Sequence, residues 1–86
     1  MDPRDARLKK LAFRSRHMGT AENDHLFSTF AARHLDGLDA AEVDQYEALL
    51  AVNDVALYKW ITGAEPVPSE HDNRVMDLLK IIKNDS

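Results

Sequence analysis

The sequence contains no cysteine and only three glycines and three prolines. The lack of cysteine excludes disulfide bridges, thiol catalysis and every zinc or iron–sulfur site that depends on thiolate ligands. No apolar run approaches the roughly 18 residues that a membrane-spanning helix requires, so we expect no membrane insertion. With 44% hydrophobic and 30% charged residues, the composition is that of a globular protein rather than a disordered or fibrous one.

The amino terminus also lacks the features of a targeting segment. The stretch from Met1 to Asp5 has no apolar region of the signal-peptide type, and its two aspartates argue against a transit peptide. We therefore expect a cytoplasmic protein. The length of 86 residues predicts a single domain, residues 1–86. Its core must be thin, because a chain of this size buries only a little over ~60% of its unfolded surface.

Signatures of catalysis are missing as well. The sequence has no glycine-rich phosphate loop, no GxSxG motif and no HExxH motif. No two histidines have the i, i+4 spacing of a zinc site on a helix; they are His17, His25, His34 and His71. We therefore predict no catalytic residue, no metal site and no enzymatic activity.

The charge is divided unequally along the chain. The net charge is −4, but residues 2–17 carry six basic side chains against two aspartates, and the remainder carries five basic against thirteen acidic side chains. This asymmetry predicts a basic patch on an acidic body. A nucleic-acid interface on the first helix is one interpretation. It is weakened by the lack of interleaved aromatic, Asn and Gln side chains and by the acidity of the rest of the chain.

Apolar residues recur with helical spacing, and no stretch alternates long enough to predict a strand. We predict an all-α fold, a compact five-helix bundle with short loops, whose helices cover approximately residues 3–18, 21–35, 40–52, 55–62 and 70–83. Gly19 is expected to close the first helix with a positive φ, and Thr20 to cap the second. Asp39 and Glu42 have the spacing of a capping box, and Ser69 is expected to cap the fifth helix.

The turn between the first two predicted helices, residues 14–24, has the strongest contrast of charge in the chain, and we call it the Gly19 corner. Basic side chains precede the glycine, and acidic side chains of a helix start follow it. Such an exposed mixed cluster suits docking onto another polar surface, whereas a capped turn without a partner is the alternative interpretation. The candidate partner-binding residues are Arg14, Arg16, His17, Met18, Gly19, Glu22 and Asp24.

Three blocks of residues resemble a known family in the same order along the chain. They are Arg14-Ser15-x-x-x-Gly19-Thr20-x-Glu22-x-Asp24, Phe30-Ala31-x-Arg33-His34-Leu35 and Leu57-Tyr58-x-Trp60-Ile61-Thr62-Gly63. Together they resemble the SdhE/YgfY family of small bacterial FAD assembly factors for succinate dehydrogenase, which has a mitochondrial counterpart. The likeness extends from about Arg7 to Ile82 and implies a five-helix bundle.

The resemblance implies a factor without catalytic activity. Such a factor binds the free flavoprotein subunit of succinate dehydrogenase, or of the related fumarate reductase, and promotes covalent attachment of FAD. The FAD belongs to the client protein, so no cofactor is expected to be bound stably by this chain itself. The resemblance also implies a monomer when free, whereas an exposed apolar patch would equally support a homodimer. It carries an alternative role as a CptB-type antitoxin, a toxin-neutralising regulator.

Two positions depart from the family pattern. The family's docking signature is Arg-Gly-x-x-Glu; Gly19 and Glu22 match it, but Met18 occupies the position of the arginine. The Asp-Pro-Asp segment that often precedes the tryptophan block is reduced here to Asp54, which Val55 and Ala56 follow. Either Arg16 or His17 supplies the missing positive charge, or the chain is a divergent member with another flavoprotein client.

Overall fold

The computed structural model describes residues 2–85, in which five α-helices and two short 3₁₀ helices occur and no strand is present. The α-helices are α1 (Pro3–Ser15), α2 (Ala21–His34), α3 (Ala40–Leu50), α4 (Asp54–Thr62) and α5 (Arg74–Asn84). The 3₁₀ helices are Leu35–Gly37 and Ser69–His71. The predicted all-α five-helix fold is confirmed.

Local capping chemistry explains most helix starts. The side chain of Asp2 accepts a hydrogen bond from the backbone N–H of Arg4 at 2.9 Å, ahead of Pro3 in the first turn of α1. Both hydrogen bonds of the capping box between Asp39 and Glu42 are formed, at 2.8 and 3.1 Å. These contacts satisfy N–H groups that otherwise lack partners at a helix start.

The end of α1 differs from the prediction. The helix ends at Ser15 instead of residue 18, and the N–H groups of Arg16 and His17 close it by turning back to the carbonyls of Phe13 and Arg14, at 3.1 Å each. Gly19 does not adopt a positive φ; within residues 2–85 only Gly63, the C-cap of α4, does so. Glycine at position 19 is therefore not needed for a left-handed backbone conformation.

The start of α5 also differs from the prediction. The helix begins at Arg74, with Asn73 as its cap accepting from the N–H of Met76 at 3.2 Å, and Ser69 begins the 3₁₀ helix instead. The physical reason is the burial of His71, whose ring packs at a tilt against that of Trp60, with the ring centroids 5.4 Å apart, and holds this turn against α4 before α5 begins. The other helix limits shift by one or two residues: α2 ends at 34, α3 at 50 and α5 at 84, and α4 begins at 54.

The core lies between α2 and α5. Helix α5 packs against α2, α3 and α4, and α2 packs also against α1. The aromatic centre is formed by Phe27, Phe30 and Tyr46, none of which is exposed, with the rings of Phe30 and Tyr46 stacked at 4.7 Å. This core holds the end of α1 and the start of α2 in place, and the Gly19 corner connects them.

Candidate functional site

The Gly19 corner is fixed to the core by Ser15, the last residue of α1. Ser15 is fully buried, and its hydroxyl lies 2.7 Å from the carbonyl of Leu11 and 2.5 Å from the phenol of Tyr46 on α3. The Ser28 hydroxyl of α2 donates to the carbonyl of Ser15 at 3.3 Å. Three helices therefore fix the point at which the chain enters the corner.

The seven candidate residues divide into two groups by exposure. Four of them are exposed: Arg16, His17, Gly19 and Glu22. The other three, Arg14, Met18 and Asp24, are half-buried. The structure therefore brings all seven to one corner but exposes only the first group fully to solvent.

Met18 and Asp24 hold the corner together. The backbone N–H of Met18 donates to the carboxylate of Asp24, and the Met18 side chain packs against the core. Asp24 therefore forms a hydrogen bond within the chain. Met18 stands where the family signature has arginine, and it contributes apolar packing instead of charge.

Gly19 is needed because Asp54, at the start of α4, occupies the space beside it. A Cβ atom at position 19 would overlap the Asp54 carboxylate and lie 3.0 Å from its Cγ. The carboxylate is held there by the Asn23 side chain, whose amide nitrogen donates to the Asp54 carbonyl at 3.0 Å and to its carboxylate at 3.3 Å. The close contact at Gly19 is thus made by the chain's own α4.

The pair Asn23–Asp54 joins the start of α2 to the start of α4. Asn23 is fully buried, and among the described residues its side-chain oxygen has no hydrogen-bond partner. Neither Asn23 nor Asp54 was predicted from the sequence as a site residue. The only available signal was that Asp54 is the one retained residue of the family's Asp-Pro-Asp segment.

An open groove of about 290 Å³ lies between these two helix starts. The residues that line it are Thr20, Glu22, Asp54, Val55, Tyr58 and Lys59. Val55 and Tyr58 are exposed apolar side chains, at 59% and 36%. Within residues 2–85 the Glu22 carboxylate has no intramolecular partner, whereas Lys59 is paired with Glu65 at 3.3 Å. We call this surface the α2–α4 groove.

The basic face of α1 is smaller than the sequence indicates. The Arg4 guanidinium donates to the carbonyl of Leu38 at 2.6 Å, and that of Arg7 pairs with Asp44 and Glu47 at 2.7 and 3.3 Å. These arginines connect α1 to the chain around α3. Phe13 of the same helix is exposed, and its ring is 4.2 Å from that of His17.

The structure also bears on metal binding and on membrane insertion. Within residues 2–85, no three His, Asp or Glu side chains are grouped so that they could hold a metal ion. No helix in that range is long and apolar enough to cross a membrane.

Comparison with known proteins gives a consistent result. Residues 9–83 match the family described as flavinator of succinate dehydrogenase. The chain is 43% identical over 81 residues to succinate dehydrogenase assembly factor 2-B, mitochondrial, of Drosophila ananassae, and that alignment covers 92% of this chain and 50% of the relative. It is 40% identical over 81 residues to succinate dehydrogenase assembly factor 2, mitochondrial, of Culex quinquefasciatus, with 92% and 51% covered. The chain spans about half the length of the curated relatives it matches.

Proposed function

The chain belongs to the family described as flavinator of succinate dehydrogenase, and on that premise we propose that it acts as an assembly factor without catalytic activity of its own. Its client is the free flavoprotein subunit of succinate dehydrogenase or of the related fumarate reductase. The chain binds this subunit and promotes the covalent attachment of FAD to it. The FAD is held by the client, and this chain supplies the docking surface.

The observation that carries the proposal is the construction of the Gly19 corner. Its exposed side chains, Arg16, His17 and Glu22, stand on a turn that is fixed by the buried Ser15 and by the hydrogen bond between Met18 and Asp24. A partner that docks here meets a surface that is already ordered, so little entropy is lost on binding. Such a surface suits recognition of a folded partner.

A rigid surface of this kind can assist a reaction that takes place in the client. Attachment of a flavin requires the flavin and the acceptor side chain to be held in attack geometry, and correct orientation alone can lower a barrier by up to ~7–11 kcal/mol. The assembly factor stabilises the client conformation that has this geometry by binding it more tightly than the others. Its own residues need to bind and orient, and none needs to transfer a proton.

The test mixes the purified chain with apo flavoprotein subunit and FAD and follows flavin fluorescence in denaturing gels. The expected result is faster growth of the covalent flavin band, with the acceleration lost in Glu22→Ala. Asp72→Ala serves as a matched control, because it removes an exposed carboxylate from the turn before α5. Unchanged kinetics with the wild-type chain would overturn the proposal.

The location and the assembly state remain predictions. The relatives are named as mitochondrial proteins, while the cytoplasmic location and the single-domain organisation of this chain were inferred from its sequence. We propose that the free chain is a monomer that joins one client subunit.

A further inference from the structure

We propose that the α2–α4 groove receives an arginine side chain of the client flavoprotein. This inference rests on the proposed function, because the client supplies the arginine. The groove is continuous with the Gly19 corner, since Thr20 and Glu22 belong to both. It adds one wall, the exposed face of α4, which neither the charge pattern nor the docking signature indicated.

The charges of the groove favour a cation. Glu22 has an exposed carboxylate with no partner within residues 2–85, and the Asp54 carboxylate is bound by a neutral amide. The groove's own cation, Lys59, is paired with Glu65. A cationic side chain that enters the groove therefore meets two carboxylates that form no ion pair within residues 2–85, and charge-assisted hydrogen bonds to carboxylates are stronger than neutral ones.

The walls of the groove favour arginine over lysine. Val55 and the ring of Tyr58 offer exposed apolar surface to the aliphatic part of a long side chain. A planar guanidinium can stack on the Tyr58 ring and still form two parallel hydrogen bonds with one carboxylate. The compact, strongly hydrated ammonium of lysine cannot make both contacts in the same way.

The groove is also held in place before a partner binds. Asn23 bridges the starts of α2 and α4, and the Thr20 hydroxyl caps α2 by accepting from the N–H of Asn23 at 3.2 Å. The two walls that carry Glu22 and Tyr58 are therefore fixed relative to each other. Binding of an arginine needs to order only the two contacting side chains, which lowers its entropic cost.

The first test does not involve the flavoprotein. N-acetylarginine amide is titrated into the ¹⁵N-labelled chain at low salt, and amide chemical shifts are followed by NMR. The expected result is roughly millimolar binding, with shifts concentrated at residues 20–22 and 54–59. The shifts should shrink strongly in Tyr58→Ala and with uncharged N-acetylcitrulline amide as the probe. Equal shifts with both probes, or none in the groove, would overturn the assignment.

The second test measures binding to the apo flavoprotein subunit. Tyr58→Ala and Glu22→Gln are each expected to weaken binding roughly 10-fold, which is about 1.4 kcal/mol. Tyr58→Phe keeps the ring and is expected to stay within about 2-fold of wild type. Ile81→Ala is the matched control, because Ile81 is a large exposed apolar residue, at 54%, that does not line the groove. Circular dichroism of each variant checks the fold.

The outcomes separate the two proposals. If wild type binds the flavoprotein and Tyr58→Ala binds equally well, the groove assignment is wrong and the proposed function stands. If wild type does not bind, the proposed function fails, and with it the client as the source of the arginine. The titration with N-acetylarginine amide then still shows whether the groove recognises a guanidinium.

Discussion

At the scale of single residues, the missing side chain of Gly19 provides the space that the Asp54 carboxylate occupies. Its φ is not in the left-handed region, so the requirement for glycine comes from contact and not from backbone strain. Any larger residue must displace Asp54, which would loosen its bond to Asn23. Gly19→Arg would therefore disturb the corner itself, and a loss of client binding in that variant would not by itself identify a docking residue.

This contact predicts a specific coupling between two substitutions. Gly19→Ala is expected to lower the free energy of unfolding by about 1–3 kcal/mol, because the added methyl group overlaps the Asp54 carboxylate. In the double variant with Asp54→Ala, the new Cβ lies 3.8 Å from the Cβ of residue 54, which is ordinary contact. Chemical denaturation of the wild type, both single variants and the double variant measures the coupling, expected at about 0.5–3 kcal/mol.

The control for this cycle is Gly37→Ala. A Cβ at Gly37 meets no atom within 4 Å, and its φ is not positive. This variant should change stability by less than Gly19→Ala and should show no coupling to Asp54→Ala. Strictly additive effects of Gly19→Ala and Asp54→Ala would contradict the contact described above.

At the scale of helices, local chemistry determines the starts of α2 and α3, and both were predicted correctly. Packing determines the end of α1 and the start of α5, and both predictions were wrong. The capping box of Asp39 and Glu42 needs only residues that are three apart, so the sequence reveals it. Ser69 and Asn73 can each cap a helix chemically. The choice between them depends on the contact of His71 with Trp60, which lies eleven positions earlier in the sequence.

The cap of α5 gives a prediction at this scale. Asn73→Ala should lower the free energy of unfolding by about 1 kcal/mol, because it leaves the N–H of Met76 without its partner. Ser69→Ala should have a much smaller effect, because the Ser69 side chain forms no capping hydrogen bond. Urea denaturation followed by the fluorescence of Trp60 measures both. An effect of Ser69→Ala as large as that of Asn73→Ala would instead support Ser69 as the cap of α5.

At the scale of the whole molecule, contacts between distant segments reduce the basic surface. Arg4 and Arg7 belong to the cluster that suggested a nucleic-acid or toxin-neutralising role, yet they bind the carbonyl of Leu38 and the acids of α3. The chain has a net charge of −4, which opposes binding to phosphates. These observations favour the protein-binding role over that alternative.

The core predicts how the stability of the whole molecule depends on pH. Burial raises the pKa of the Tyr46 phenol above its ordinary value near 10, an effect that the hydrogen bond to Ser15 and the charge of Arg14 partly offset. The unfolded chain loses this proton near pH 10, but the folded chain retains it. Stability from this group is therefore complete below pH 10 and falls as pH rises above it, by up to about 1.4 kcal/mol per pH unit.

Tyr46→Phe tests this dependence. At pH 7 the variant should be less stable by about 1 kcal/mol, because the hydrogen bond to Ser15 is lost. Between about pH 10 and 11.5 its free energy of unfolding should fall less steeply than that of wild type. Urea denaturation across this range measures both slopes. Tyr58→Phe is the control, because Tyr58 is exposed; parallel slopes for wild type and Tyr46→Phe would contradict the prediction.

The sequence by itself determined the fold class, the five helices, most of their caps and the position of the Gly19 corner. These features depend on apolar periodicity and on hydrogen bonds between residues a few positions apart, which can be read from neighbours in the chain. Family resemblance added Glu22 and Gly19 as docking residues, and the structure exposes both.

Only the tertiary structure decided how the corner is built. It showed that Asp54 fills the space beside Gly19, that Asp24 is bonded to Met18, and that Val55 and Tyr58 form a wall beside Glu22. Position 54 is more than thirty residues from position 19 in the sequence. Contacts across such separations depend on how the helices pack around α5, and apolar periodicity identifies the face a helix buries without identifying the helix that covers it.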